Sequence, residues 1–192
     1  MKSRVDRWMK ESVENTLKDI GIKRGQKVLD FGCGSGNYTI PAAKVVGKQG
    51  LVYALDEDKE VLDKLISKAK SAGLINIARL DASGKSEIAL DNESVDVVLL
   101  YDVLHYYYFP EEGDRRRLLY EIYRVLKPNG LLSVYPTHLE SNMEPKLDDV
   151  KSEIDESSFY EENEYTGVTM AHDNNIEEGR VINFRKKNAN AR

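Results

Sequence analysis

Apolar positions along the chain fall into two alternating rhythms. Lys27 to Asp30, Leu51 to Leu55, Ile75 to Leu80, Val95 to Tyr101 and Leu131 to Tyr135 are short runs that read as strands. Val95 to Tyr101 is the clearest of them, apolar, β-branched and short, as a strand buried on both faces is. Between them the spacing turns helical. Ile40 to Val46 is one such stretch. A second opens at Asp58 or Lys59, carries the stripe Val61, Leu62, Leu65, Ile66 and Ala69, and stops at Gly73. A third, Asp114 to Leu126, turns Leu118, Leu119, Ile122 and Val125 inward. Strand and helix in alternation predict a parallel sheet with crossover helices on both faces.

The two ends of the chain depart from that alternation. Residues 3 to 20 put Val5, Trp8, Met9, Val13, Leu17 and Ile20 on one face of a helix that Gly21 ends. That helix either caps a ligand pocket or only covers the sheet. Lys127-Pro128-Asn129-Gly130 reads as a turn, with the proline closing the helix and Gly130 supplying positive φ. Residues 140 to 164 are acidic and hold a weak helix over Leu147 to Ser157. Tyr165 to Ala171 and Arg180 to Lys186 alternate as two closing strands joined by a polar turn, His172 to Gly179. Residues 1–186 are expected to form one domain, with 1–24 as a capping segment and 187–192 frayed.

Composition narrows the function classes. The 192 residues are 41% hydrophobic and 32% charged, with a formal net charge of −5. An acidic chain gives nucleic acid little to bind. The run Arg115 to Arg117 is balanced by Glu111, Glu112 and Asp114. No apolar stretch approaches the ~20 residues of a membrane span, and the first residues lack the apolar core of a signal peptide. With one cysteine, Cys33, there is no intramolecular disulfide, and a cytoplasmic location is expected. Nothing in the sequence speaks to oligomeric state.

The candidate chemistry lies where the first strand meets the first crossover helix. Val28 to Thr39 reads VLDFGCGSGNYT: a strand, three glycines at alternate positions, then a helix. Gly32 and Gly34 let the backbone take positive φ and come close to a ligand. The helix N-terminus behind them offers unpaired N–H groups. A dinucleotide fingerprint needs G-x-G-x-x-G, but Asn37 occupies its third-glycine slot. Asp30, at the strand end, would repel a pyrophosphate and attract a cationic amino group. Asp56 closes the second strand 20 residues beyond Gly36. It is placed either to accept the hydroxyls of a ribose or to cap the next helix.

This stretch resembles motif I of the class I S-adenosylmethionine-dependent methyltransferases. LLYEIYRVLKPNGLLSVY resembles the family block in which a helix ends in LKPGG before strand five, with Asn129 in place of one glycine, as asparagine tolerates the left-handed region. The closest likeness is to the domain of the ubiquinone/menaquinone-type methyltransferases. The resemblance implies a doubly wound, Rossmann-like α/β sheet of seven strands, ordered 3-2-1-4-5-7-6, with an antiparallel C-terminal strand. It implies S-adenosylmethionine as cofactor, S-adenosylhomocysteine as product, and a small-molecule acceptor methylated by in-line displacement. Carried over by position, Asp30, Gly32, Cys33, Gly34 and Asn37 surround the methionine part, with Asp30 at its amino end. Asp56 takes the ribose, Asp81 either takes the adenine amine or is a solvated turn residue, Glu57 and Ala82 join the cofactor site, and Tyr101 lines it after strand four.

Asp102 to Pro110, DVLHYYYFP, follows strand four, where the acceptor is expected to enter. Its aromatic side chains either wall the acceptor site or pack the next helix. His105 is the first candidate for a general base and His138, after strand five, the second. The Asn/Asp-Pro-Pro-aromatic motif of amino-group methylases is missing at Tyr101-Asp102-Val103-Leu104. Asp102 matches the first metal-binding acid of the magnesium-dependent catechol-type enzymes. Pro136-Thr137-His138 lacks their Asp-Asn partner, so no metal is expected. Two other readings stay open: a cofactor-binding module or complex subunit without catalysis of its own, and an NAD-binding oxidoreductase.

Overall fold

The computed structural model describes residues 12–82, 84–139, 143–172 and 175–188. The five runs form parallel strands: β1 (Lys27–Phe31), β2 (Leu51–Asp56), β3 (Ile77–Asp81), β4 (Val95–Tyr101) and β5 (Leu126–Tyr135). The crossover helices are α2 (Thr39–Val46), α3 (Lys59–Ser71) and α4 (Glu112–Val125). α1 (Val13–Asp19) precedes β1, and α5 (Leu147–Glu156) lies between β5 and a terminal pair, β6 (Phe159–His172) and β7 (Asn175–Lys186). The seven strands are ordered β3-β2-β1-β4-β5-β7-β6, as expected. β7 runs antiparallel to both of its neighbours.

Alternation along the strands divides the core into two faces. Leu29, Val98, Leu100 and Leu132 pack with Leu118, Leu119 and Ile122 of α4 and with Val150 and Ile154 of α5. Val28, Val52, Val97 and Leu99 pack on the other face with Val13 and Leu17 of α1 and Ala42 and Val46 of α2. Leu62 and Leu65 of α3 meet Ala54 and Ile40. Val5, Trp8 and Met9, read as part of the first helix, lie outside the described residues.

Four expectations are corrected. Asn129, with φ 60°, takes the left-handed position assigned to Gly130. Glycine is needed at 130 for a different reason: a Cβ there would stand 2.8 Å from the Lys127 carbonyl oxygen. Lys127 to Gly130 is no free turn either, because pairing with β4 passes from Val95↔Leu126 directly to Val97↔Leu131 and leaves those four residues as a bulge. Finally, the hairpin is longer than its apolar alternation, pairing from Phe159↔Lys186 to His172↔Asn175. Backbone pairing and cross-strand ion pairs, Arg185–Glu162 and Arg180–Glu164, carry the polar stretches of β6 and β7. Lys187, expected to fray, donates from its backbone to Ser158 and from its side chain to Asp155.

Candidate active site

A cavity of about 920 Å³ opens at the carboxyl ends of the central strands, where open α/β sheets bind ligands. Its lining comes from the loop after β1, the acidic end of β2, the segment after β3 and the aromatic segment after β4.

The glycine loop is held by β2. The N–H groups of Gly32 and Cys33 both donate to the Leu55 carbonyl, at 2.8 and 3.0 Å. The Gly34 N–H donates to Asp56 Oδ2 at 2.8 Å. Gly32, Gly34 and Gly36 all have positive φ, at 71°, 50° and 82°. Beyond that their reasons differ. A Cβ on Gly36 would fall 2.1 Å from Leu65 Cδ1, so this glycine lets α3 pack. A Cβ on Gly34 would meet nothing within 4 Å, because this glycine faces the cavity.

The capping role weighed for Asp56 falls to Asp58. Asp58 is the cap of α3, its Oδ1 accepting from the Glu60 and Val61 N–H groups. Asp56 instead lines the cavity, with the Asp58 N–H on Oδ1 and the Gly34 N–H on Oδ2. A carboxylate has room for about four donors, so both oxygens can still accept from a ligand. Glu57 and Ala82 line the cavity as well.

Four further residues stand off from it. Asp30 is 2% exposed and accepts from the Thr39 hydroxyl. Burial lifts its carboxyl to about 6, with the Thr39 bond opposing the rise and the Asp56 charge adding to it. Cys33 packs against Ile40, Leu62 and Leu65, and burial drives its thiol far above the range where thiolate forms. Asn37 is half-buried and hydrogen-bonded to Ser35. Asp81 is exposed and paired with Arg79, which also reaches Asp63.

The segment after β4 supplies the remaining wall. Tyr101, Asp102, Val103, Tyr107, Tyr108 and Phe109 line the cavity. Tyr101 is buried, with its hydroxyl 3.0 Å from that of Ser133 and its ring edge-on to Tyr38. His105 is 2% exposed and turned inward, with Nε2 3.3 Å from Asp102 Oδ1 and Nδ1 accepting from the Tyr107 N–H. Asp102 is the group that reaches the cavity, and Thr137 also donates to it. Burial raises its carboxyl, but bonds from His105 and Thr137 and the charge of His172 hold it below the ordinary range.

His172, read as a turn residue, joins this group: its Nε2 lies 3.3 Å from Asp102 Oδ2, and His138 Nε2 lies 3.7 Å from Oδ1. The expected strand order held the signal. With β7 antiparallel to both neighbours, β6 ends on the same side of the sheet as β4 and β5.

Known proteins place the chain. A family described as "Methyltransferase domain" matches residues 29–134. A demethylmenaquinone methyltransferase of Lactobacillus johnsonii is 32% identical over 131 residues, 68% of this chain and 52% of that protein. One of Geobacillus sp. is 32% identical over 117 residues, 61% of this chain and 47% of that protein. The chain thus spans about half the length of these curated relatives. Among solved structures, an S-adenosylmethionine-dependent methyltransferase of Aquifex aeolicus superposes with a TM-score of 0.71 at 23% identity, covering 93% of this chain and 92% of that one. Another, of Methanosarcina mazei, gives 0.72 at 17% identity, covering 90% and 97%. Sheet order, glycine loop and a family match over more than half of its length agree: the chain belongs to the methyltransferase-domain family of class I S-adenosylmethionine-dependent methyltransferases.

Proposed function

We propose that the chain is an enzyme that transfers a methyl group from S-adenosylmethionine to a small, planar acceptor. The observation that carries this reading is the Gly34–Asp56 hydrogen bond, which joins the glycine loop to the acid of β2 at the cavity wall. The residues present fit the cofactor. Gly34 leaves open space where a side chain would stand, and the Asp56 carboxylate has unused acceptor capacity beside it. When bound, the cofactor supplies a methyl group already activated on a sulfonium.

The rest of the work falls to the chain. Asp56 and Glu57 accept from ribose hydroxyls, Gly32 and Gly34 admit the methionine part, and Ala82 leaves room for the adenine. The buried charge of Asp30, below the loop, favours a cationic amino group. Tyr107, Tyr108 and Phe109 exclude water and stack on a flat acceptor. Alignment of that acceptor can account for ~7–11 kcal/mol of the barrier. A quinone-like ring fits this wall, and the similar proteins are demethylmenaquinone methyltransferases.

His105 acts through Asp102 as a positioning residue. Its ring orients the carboxylate that meets the acceptor. His105→Gln should therefore lower kcat, leave cofactor affinity alone and leave acceptor KM within about twofold of the parent, a split that general unfolding would not give.

Calorimetric titration tests the reading. S-adenosylmethionine and S-adenosylhomocysteine should bind one to one, and NADH should not. Asp56→Ala should weaken both by roughly tenfold or more, since a ribose diol loses its acceptor at ~1–3 kcal/mol. Indifference of the parent protein to both ligands overturns the proposal.

A further inference from the structure

The chain has three histidines, and all three converge on one carboxylate. They arrive on separate segments: His105 after β4, His138 after β5 and His172 at the end of β6. His138 Nε2 and His172 Nε2 stand 3.1 Å apart. His172 Nε2 is 3.3 Å from Asp102 Oδ2, and His138 Nε2 is 3.7 Å from Asp102 Oδ1. Ligand atoms 2.0–2.1 Å from a tetrahedral ion stand about 3.3 Å apart. The separations lie near that edge length, with His172 and His138 each facing a different oxygen of the one carboxylate.

The outer contacts suit the same arrangement. Metal-binding imidazoles commonly turn their other nitrogen to a carboxylate. His172 Nδ1 lies 3.5 Å from Glu177 Oε1, and that oxygen also accepts from the Tyr135 hydroxyl. His105 is close too, since Asp102, His105 and His138 offer donor atoms within 4.8 Å of one another. Its Nδ1, however, accepts from the Tyr107 N–H, so its proton sits on Nε2 and points at Asp102. His105 therefore orients the carboxylate rather than ligating. The backbone is bent to the same end: Asp102 and His138 both hold left-handed conformations, with φ 60° and 65°. Such positions gather at functional sites.

We propose that Asp102, His138 and His172 form a binding site for a divalent first-row transition metal ion, with His105 and Glu177 as its outer shell. Two imidazoles and one carboxylate suit zinc, iron or cobalt better than magnesium, which prefers oxygen. This donor set differs from the Asp-Asn pair whose absence led the sequence to predict no metal. Asp102 lines the cavity, so an ion here would face the acceptor. It would favour an oxygen nucleophile by stabilising its deprotonated form. That role rests on the methyl-transfer reading, whereas the binding site does not.

The test uses the whole chain, freed of any tag and stripped by a chelator, titrated with Co2+ and then Zn2+. One ion per chain should bind, the Co2+ form should show the visible bands of nitrogen-ligated cobalt, and Zn2+ should abolish them. His138→Ala and His172→Ala should each weaken binding at least ~10-fold, and His105→Gln less than either. Zinc should raise the Tm of the parent and not that of the two alanine variants. Absence of stoichiometric binding by the parent overturns the proposal, as does unchanged affinity in both alanine variants. If a variant fails to fold, the cobalt spectrum of the parent decides alone. A separate titration with S-adenosylhomocysteine shows whether the cofactor reading stands or falls independently.

Discussion

The Tyr38 hydroxyl donates to the carbonyl of Ala171 and accepts from its N–H, both at 2.9 Å. Tyr38 precedes α2 at the end of the glycine loop, and Ala171 lies next to His172 near the end of β6. One buried side chain thus ties the glycine loop to the hairpin that brings His172 to Asp102. Tyr38→Phe would leave two buried backbone groups without that partner, at a cost of ~1–3 kcal/mol each if no water replaces it. Thermal unfolding should show a Tm lower by several degrees. The same variant should weaken zinc binding if the hairpin's position matters to the cluster.

The glycines of the loop predict two different failures. Gly36→Ala drives a methyl group into Leu65 at a position with φ 82°. It should destabilise the fold, with ~1–2 kcal/mol from backbone strain alone and more from the clash. Gly34→Ala carries a similar strain and no clash, but its methyl would stand in the cavity. Its unfolding loss should be the smaller and its loss of S-adenosylhomocysteine affinity the larger. Chemical denaturation and calorimetry on both variants check that crossed pattern, and parallel losses would refute it.

Asp30 gives the fold a pH dependence of definite sign. Its carboxyl titrates at about 6 in the folded chain against an ordinary 3.8. Between those values the folded chain holds a proton that the unfolded chain has lost. Stability from this group is therefore full below about 3.8 and lost as pH rises through about 6. The whole loss is about 3 kcal/mol. Asp30→Asn removes the titration, so urea unfolding should give similar stabilities near pH 4 and a variant more stable by up to ~3 kcal/mol above pH 7. The same variant should bind the cofactor more weakly, because the charge under the loop is gone. A gain in stability without that loss would remove Asp30 from the cofactor site.

The sequence exposed what depends on local pattern and hid what depends on distant segments meeting. β4 matched its predicted span residue for residue, because Val95 to Tyr101 is apolar on both faces and bounded by polar residues. Asp56 and the glycine loop were legible because their spacing is short-range chemistry. Asp81 was carried over by position, yet Arg79 two residues earlier draws it out of the cavity wall. His172 was read as a turn because it follows the last buried residues of β6, Met170 and Ala171, and the opening of β7, Asn175 to Glu178, is mostly polar. Its approach to Asp102 follows only from the return path of the hairpin.

The aromatic wall hangs on an ion pair that the sequence showed only as part of a basic run. Arg115 is buried and pairs with both oxygens of Glu153 on α5, at 2.8 and 2.6 Å. Its remaining nitrogen donates to the carbonyls of Phe109 and Pro110, at 2.9 and 2.7 Å. Glu153→Ala would strand a buried guanidinium, which costs ~3–5 kcal/mol. Replacing both partners by apolar residues would avoid the stranded charge and restore much of that stability. The two carbonyls would still lose their donor, so Phe109 and the tyrosines before it would shift. The double variant Arg115→Met, Glu153→Leu should therefore unfold at nearly the parent's denaturant concentration yet bind a planar acceptor more weakly, with cofactor affinity unchanged. Full acceptor affinity in that variant would show that the wall stands without Arg115.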